Sequence, residues 1–409
     1  MTRALNRVVP PLAIAACVAA ALPAPASAQS TGDPAEEARI HLGPLALEPR
    51  FALRQLGVDT NVFNSADNPV KDITASFAPG VDTWLRFGRA RLSTETEVEW
   101  TYFKKAAGQR AFNTSQLVKL EFDMARVTPF IGGGVMSMRT RPNLEIDARV
   151  RQHRTLTNAG ARVELGGRSR LDADVRRERI DFGDDGFGSD ELAATLNREV
   201  TEGGVAFRMD VTPLTTIVVR TGVSYDVFEF ARLRDSNSVT VLPGLEIKPS
   251  ALISGKAMVG FRHFDAESSV VPDFSGVIAA VDVGYVMREM TRFGLKVDRN
   301  LEYSFQIDKP YYIATSATFE VKQALGLFWD VVGRAGRASL AYEAFAVGDG
   351  NAFGPADRER LLTYGFGIGR RLGESVRVGL DVDYGRRRSS AERREFEGFK
   401  AGGSFTYGY

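Results

Sequence analysis

The chain has 409 residues, with 52 basic against 51 acidic and a net charge of +1, a balance that argues against nucleic acid as its main partner. Its only cysteine is Cys17, so a mature chain starting later has neither a disulfide scaffold nor a cysteine-ligated metal. No apolar run of about 18 residues follows residue 30, which excludes a transmembrane helix there, while 40 glycines and 10% aromatic residues suit many strands and tight turns.

The N-terminal stretch MTRALNRVVPPLAIAACVAAALPAPASAQS sets Arg3 and Arg7 before an apolar run and ends in Ala26-Ser27-Ala28. That order predicts a secretory signal peptide over 1–28. A lipoprotein signal is the competing reading, because Ile14-Ala15-Ala16-Cys17 resembles a lipobox. The apolar run through Val18 to Leu22 and the small-residue cleavage site favour cleavage after Ala28. Residues 29–43 then form a periplasmic segment and 44–409 one domain, since no Pro/Ser-rich linker interrupts them.

From there the pattern has period two, the mark of strands with one apolar and one polar face. Ile73, Phe77, Val81, Leu85 and Phe87 alternate with Asp72, Thr74, Ser76, Asp82 and Arg86. Val376, Val378, Leu380, Val382 and Tyr384 alternate with Arg377, Asp381 and Asp383, and the last residues repeat the pattern. Short connections fall near Gly88-Arg89, 125–128, 166–169, 210–214, 248–250, 288–291, 324–327 and 372–374. Longer polar loops at 59–72, 181–191 and 346–360 lie among the connections at the other end. The expected fold is all-β: a transmembrane antiparallel up-and-down β-barrel of about 18 strands (16–18), with both termini at the short-turn end. Runs near 139–160 and 186–200 alternate poorly.

A soluble sandwich also alternates, but its inner face must be apolar, and here the polar face carries full charges. Leu92 to Tyr102 is one unbroken alternation, close to the roughly 9–11 tilted residues that cross a bilayer. Aromatics near the connections, Trp100 and Tyr102, Tyr225, Tyr285 and Phe293, Tyr303 and Phe305, and Tyr384, would form interfacial girdles. In hydrocarbon an open sheet edge has no partners, so the barrel must close. At this strand number it encloses an aqueous lumen unless loops fold in.

Two resemblances follow. Phe405-x-Tyr407-x-Tyr409 at the end of the chain looks like the C-terminal signature by which bacterial outer-membrane proteins are recognised for barrel assembly. The segment GVDTNVFNSADNPVKDITASFAPGV, residues 57–81, resembles the start of the putative β-barrel porin 2 family, through Asp59-Thr60-Asn61-Val62-Phe63, Asp67-Asn68-Pro69 and Pro79-Gly80. Thr60 stands where that family usually has serine. The resemblance implies an integral outer-membrane barrel encoded with exopolysaccharide secretion systems. It implies lipid and lipopolysaccharide, the barrel assembly machinery and periplasmic polysaccharide-export components as partners, with no cofactor and no catalytic residue.

The polar faces carry the candidate site: Asp82, Arg86, Arg91, Glu95, Glu97, Glu99, Lys119, Glu121, Asp123, Asp172, Asp174 and Arg176 are expected to line the lumen. With the connection between the strands centred on Ala107, Lys119 falls opposite Glu95, where unlike charges stabilise a pair. Arg299 fits badly. It falls on the apolar face between Val297 and Leu301, where mid-bilayer exposure costs about 2–4 kcal/mol, so either a bulge near Asn300 or a position outside the hydrocarbon is expected. Asp181, Asp184, Asp185, Asp190 and Glu191 suggest calcium, but their spacing does not match the twelve-residue loop with ligands at alternate positions, and a solvated external loop is the reading taken. Of the three histidines, His41, His153 and His263, the last shares a strand face with Asp265, the sole hint of a hydrolase. The reading is a channel without catalysis or metal; a diffusion porin and an occluded structural barrel are the alternatives.

Overall fold

A computed structural model describes residues 33–183, 189–249, 251–347, 351–352, 357–373, 375–389 and 394–408. The signal-peptide reading, Cys17, Asp184, Asp185 and Tyr409 fall outside them. A short strand β1 (Ile40–Leu42) lies on β2 (Leu45–Asp59), followed by β3 (Asp72–Phe87), β4 (Ala90–Phe103), β5 (Ala111–Phe122), β6 (Val127–Thr140), β7 (Val150–Gly166) and β8 (Ser169–Phe182). Helix α1 (Ser189–Leu196) precedes β9 (Arg198–Thr212), β10 (Thr215–Phe228), β11 (Ser236–Ile247), β12 (Ile253–Ala266) and β13 (Phe274–Met287). Then come β14 (Thr291–Tyr303), β15 (Tyr311–Leu325), β16 (Trp329–Glu343), a small hairpin of β17 (Ala346–Val347) and β18 (Asn351–Ala352), and β19 (Arg358–Leu372), β20 (Val376–Arg388) and β21 (Phe396–Tyr407). Each of the long strands pairs antiparallel with the next, and β21 pairs with β2, closing an 18-strand barrel to which β1 is an addition.

Alternation explains the wall. Trp100, Phe112, Ile131, Phe261 and Leu380 point out and are exposed, while their neighbours in sequence turn inward. Wall strands have 12 to 17 residues, more than the roughly 9–11 that a tilted strand needs in hydrocarbon, so their ends overreach the apolar band. The short turns close tightly because Gly88, Gly167, Gly326 and Gly373 take left-handed φ of 62° to 72°, which costs glycine nothing sterically. The β13–β14 turn reaches the same conformation with Arg288 and Glu289, at φ of 50° and 59°. On β2 the register shifts between Leu53 and Leu56 towards β21, and between Arg54 and Gly57 towards β3, around Gln55 at φ 53°, a bulge that bends the strand at the closure.

Among the described residues no helix is long and apolar enough to cross a membrane; this chain crosses with strands. Two buried apolar clusters lie at the long-loop end. One gathers Ile146, Ile180, Phe182, Leu192, Leu196, Phe228, Phe264, Leu301, Tyr303 and Tyr311, and the other Leu144, Tyr312, Leu340, Tyr342 and Leu361.

Candidate functional site

The charges identify the concave face. Arg220 on β10 reaches Asp174 on β8 at 3.2 Å, Arg377 on β20 reaches Asp330 on β16 at 2.7 Å, and Arg334 on β16 reaches Asp381 on β20 at 3.5 Å. Each pair skips a strand. Long side chains converge in this way only inside a curved sheet.

Each predicted residue can now be placed. Asp82 accepts from Arg50 at 2.6 Å and stands opposite Glu95. Arg86 pairs with Asp33 at the short-turn end, and Arg91 pairs with Glu121 at 2.7 Å. Glu97 stands between Gly80 and Ser115. Glu99 accepts from Asn113 at 2.9 Å and from Ser76. Asp172 takes Arg208 at 2.6 Å, and Arg176 takes Glu202 at 2.7 Å. Asp123 lies past the end of β5, in the exposed turn. Phe405 packs edge-on against Phe51 at 5.8 Å, and Arg39 covers the Tyr407 ring at 5.0 Å.

One register needs correction. Lys119 faces Ser93, and Glu95 faces Leu117. Thr101 pairs with Ala111, which centres the connection on Ala106 instead of Ala107, and a one-residue change of centre moves every partner by two. Lys119 instead bonds Glu121 at 2.7 Å along its own strand.

The long-loop end holds what alternation did not announce. Residues 141–149, between β6 and β7, fold into the barrel and meet the connection between β14 and β15. Glu145, fully buried, accepts from Ser304 Oγ at 2.6 Å, Phe305 N at 3.1 Å and Gln306 Nε2 at 3.1 Å. Backbone turned into a lumen has no strand partner, and its carbonyls still need donors. Arginines supply them. Arg141 donates to Val62 O at 2.7 Å and Asp147 O at 2.6 Å, Arg149 to Arg139 O at 2.7 Å, Arg394 to Glu145 O at 2.8 Å, Arg387 to Leu144 O, and Arg234 to Gln306 O at 2.6 Å. Burial pushes the Glu145 and Asp147 carboxyls up, while burial and the neighbouring Arg141 bring Arg149 down to about 10. Helix α1 adds Leu192 and Leu196 to the apolar cluster beside this loop.

The wall itself parts nearby. The β13–β14 ladder runs from Met287–Thr291 to Ala279–Arg299 and stops, although β13 continues to Phe274 beside β12 and β14 to Tyr303 beside β15. Above the split Leu301, Tyr303, Tyr311 and Ile313, outward by alternation, are buried. Their rings rest on inward residues of other strands: Phe228–Tyr303 at 4.8 Å and Phe264–Tyr311 at 5.2 Å. Tyr303 is therefore not a girdle residue. The split also accounts for Arg299. β14 has no bulge against either neighbour, and the Arg299 guanidinium donates to Val277 O at 3.0 Å and Thr315 Oγ1 at 2.7 Å, filling the place that the departing strand leaves.

The aromatic band elsewhere is outward: Tyr285, Phe293 and Phe319 stack at 6.1 and 6.2 Å, and Trp100 packs on Tyr102 at 5.7 Å. His41 bonds Ala35 O at 2.8 Å, His153 is exposed on β7, and His263 Nδ1 lies 2.7 Å from Ser275 Oγ on the outer face. Asp265 faces Asn237. Among the described residues no group of His, Cys, Asp or Glu is arranged to hold a metal.

The family described as "Putative beta-barrel porin 2" matches residues 33–402. The chain belongs to this family. Membership makes it a porin-like barrel integral to the outer membrane. No curated protein matches the chain significantly. Solved structures similar to this family member include the outer membrane protein OpdK from Pseudomonas aeruginosa, at 10% identity and TM-score 0.49, covering 88% of this chain and 98% of that one. OprD from the same organism has 11% identity, TM-score 0.48, and coverage of 88% and 94%. The FrpB iron transporter from Neisseria meningitidis has 10% identity and TM-score 0.46; 84% of this porin 2 chain matches 62% of that one, so this chain spans less than two thirds of its length. The fold assigned to the porin 2 chain rests on its own strand pairing and not on these scores.

Proposed function

We propose that this barrel is a passage for polar solute or polymer across the outer membrane, serving exopolysaccharide secretion. The observation that carries the reading is the band of cross-strand ion pairs around the concave face, which leaves a hydrated, mixed-sign wall where an inert barrel would pack apolar side chains. On that wall Asp82, Glu95, Glu97 and Glu99 form an acidic stripe and Lys119, Arg91 and Arg176 supply the opposing sign. Passage is by diffusion, without catalysis or cofactor, through a lumen throttled by residues 141–149 and the β14–β15 connection. The signal peptide over 1–28 and the export partners belong to this proposal.

The test is conductance of the purified, heat-modifiable protein in planar bilayers. Replacing Glu95, Glu97 and Glu99 together with Gln shifts selectivity towards anions; an open pore with unchanged selectivity overturns the stripe's placement. Loss of surface polysaccharide in a strain lacking the protein supports the secretion role, and normal polysaccharide with intact conductance favours a general diffusion porin. The folded-in loops favour one other reading, an occluded structural barrel, which silent bilayers would support.

A further inference from the structure

The top of the β14–β15 hairpin is buried inside the barrel, yet its sequence is that of a wall. Leu301, Tyr303, Tyr311 and Ile313 are the apolar half of an alternation whose other half is Asn300, Glu302, Tyr312 and Ala314. The β13–β14 register, carried past Ala279–Arg299, sets Leu301 opposite Val277 and Tyr303 opposite Ser275. In that seat the four apolar side chains would face lipid.

We infer that the hairpin top, residues 300–313, is a gate with two seats: folded into the lumen, as in this structure, and zipped into the wall against β13. Two backbone groups at the split, Val277 O and Leu301 N, have a partner in either seat, as hydrocarbon requires of them. In the folded seat Arg299 holds Val277 O, and Asn300 Oδ1 accepts from Leu301 N at 2.9 Å. In the zipped seat Leu301 N and Val277 O lie at directly opposed ladder positions, and Arg299 and Asn300 are released.

Side chains fasten the folded seat. Tyr303 Oη and Ser236 Oγ are 2.6 Å apart, Arg262 reaches Asn300 Oδ1 at 3.1 Å, Tyr311 Oη donates to Asp273 O at 3.4 Å, and Arg234 and Glu145 grip residues 304–306. Zipping removes residues 304–306 from Glu145 and widens the long-loop mouth. The gate goes beyond the passage reading, and its test does not need current.

The experiment is a disulfide trap in outer membranes. Ser275 is on the outer face of β13 and Tyr303 lies behind the wall, so S275C/Y303C crosslinks only in the zipped seat, where opposed Cα atoms are about 5.5 Å apart. V283C/L295C, a pair already opposed in the wall, is the control that forms in either seat. The expected result is crosslinking of both pairs in heat-modifiable protein, with several-fold higher conductance from oxidised than from reduced S275C/Y303C. R299M, which keeps every ring and removes the guanidinium from Val277 O, is expected to raise open probability several-fold. A control pair that crosslinks while S275C/Y303C stays reduced overturns the gate. Crosslinking with silent bilayers retains the gate and removes the passage reading.

Discussion

Strands β4 and β14 differ by one residue in length and share the same alternation, but they are held by different forces. β4 is laddered to β3 and to β5 over nearly its whole length, whereas β14 loses β13 above Arg299. On β4 the outward residues face lipid, and on upper β14 the residues of the same parity are buried among aromatic rings. Alternation assigns a residue to one side of its strand. The ladder decides where that strand is.

Changes in the folded-in region should therefore act locally and leave the wall intact. Arg387→Ala should act most, because Arg387 is 2% exposed and joins Asp147, Glu359 and two carbonyls of the 141–149 loop; losing such a buried pair costs about 3–5 kcal/mol. Hydrogen exchange should accelerate across 141–149 while β4 keeps its protection. Equal acceleration in β4 would mean that wall and loop are one cooperative unit.

A pH effect comes next. Burial raises Glu145 above its ordinary value of 4.5, so the folded seat binds this proton more tightly than an unlatched, hydrated loop does. Its stabilising contribution is complete in acid, below the ordinary value, and is lost as pH rises through the raised one. Asp147 has the same sign. Arg234, Arg387, Arg394, Tyr312 and Tyr342 face this region. Conductance should fall when the long-loop side is acidified from pH 7 to pH 5, and a rise would reverse the assigned linkage.

Tyr303→Phe removes the hydroxyl that meets Ser236 and Asp226 and should cost about 1–2 kcal/mol, read as faster labelling of a thiol placed at 305. The smallest effect belongs to the wall's far end. Glu289→Gly relieves a left-handed side chain but loosens the unfolded chain, for a net gain of about 0.5–1 kcal/mol in urea unfolding of the barrel; destabilisation would show that Glu289 holds the turn by another contact.

Most of the wall was legible because period two and glycine turns are local properties of the chain. Eight short turns and the 18-strand closure follow from them. Lys119's partner was not, since register depends on the geometry of the connection at 104–110, which one residue alters. The folded-in loop was visible only as failed alternation near 139–160. The split had two signals in the sequence: Arg299 on an apolar face, and Phe228 and Phe264 on lumen faces otherwise carrying Asp226 and Arg262. Both mark places where inside and outside trade roles, and neither says which strand moves.

The closure of the barrel has a consequence for folding order. Every other ladder of the wall joins long strands consecutive in the chain, but at the closure Phe399 N donates to Thr60 Oγ1 across 339 residues of chain, a step slowed by loop entropy. At that seam β21 must zip past the Gln55 bulge, and a Cβ on Gly57 would lie 1.9 Å from Ala401 O. Gly57→Ala should thus leave seventeen hairpin pairings able to form and stall the eighteenth, accumulating an open, curled sheet with two unsealed edges. Assembly of this protein has a last stitch, and its difficulty was set where the chain first entered the membrane.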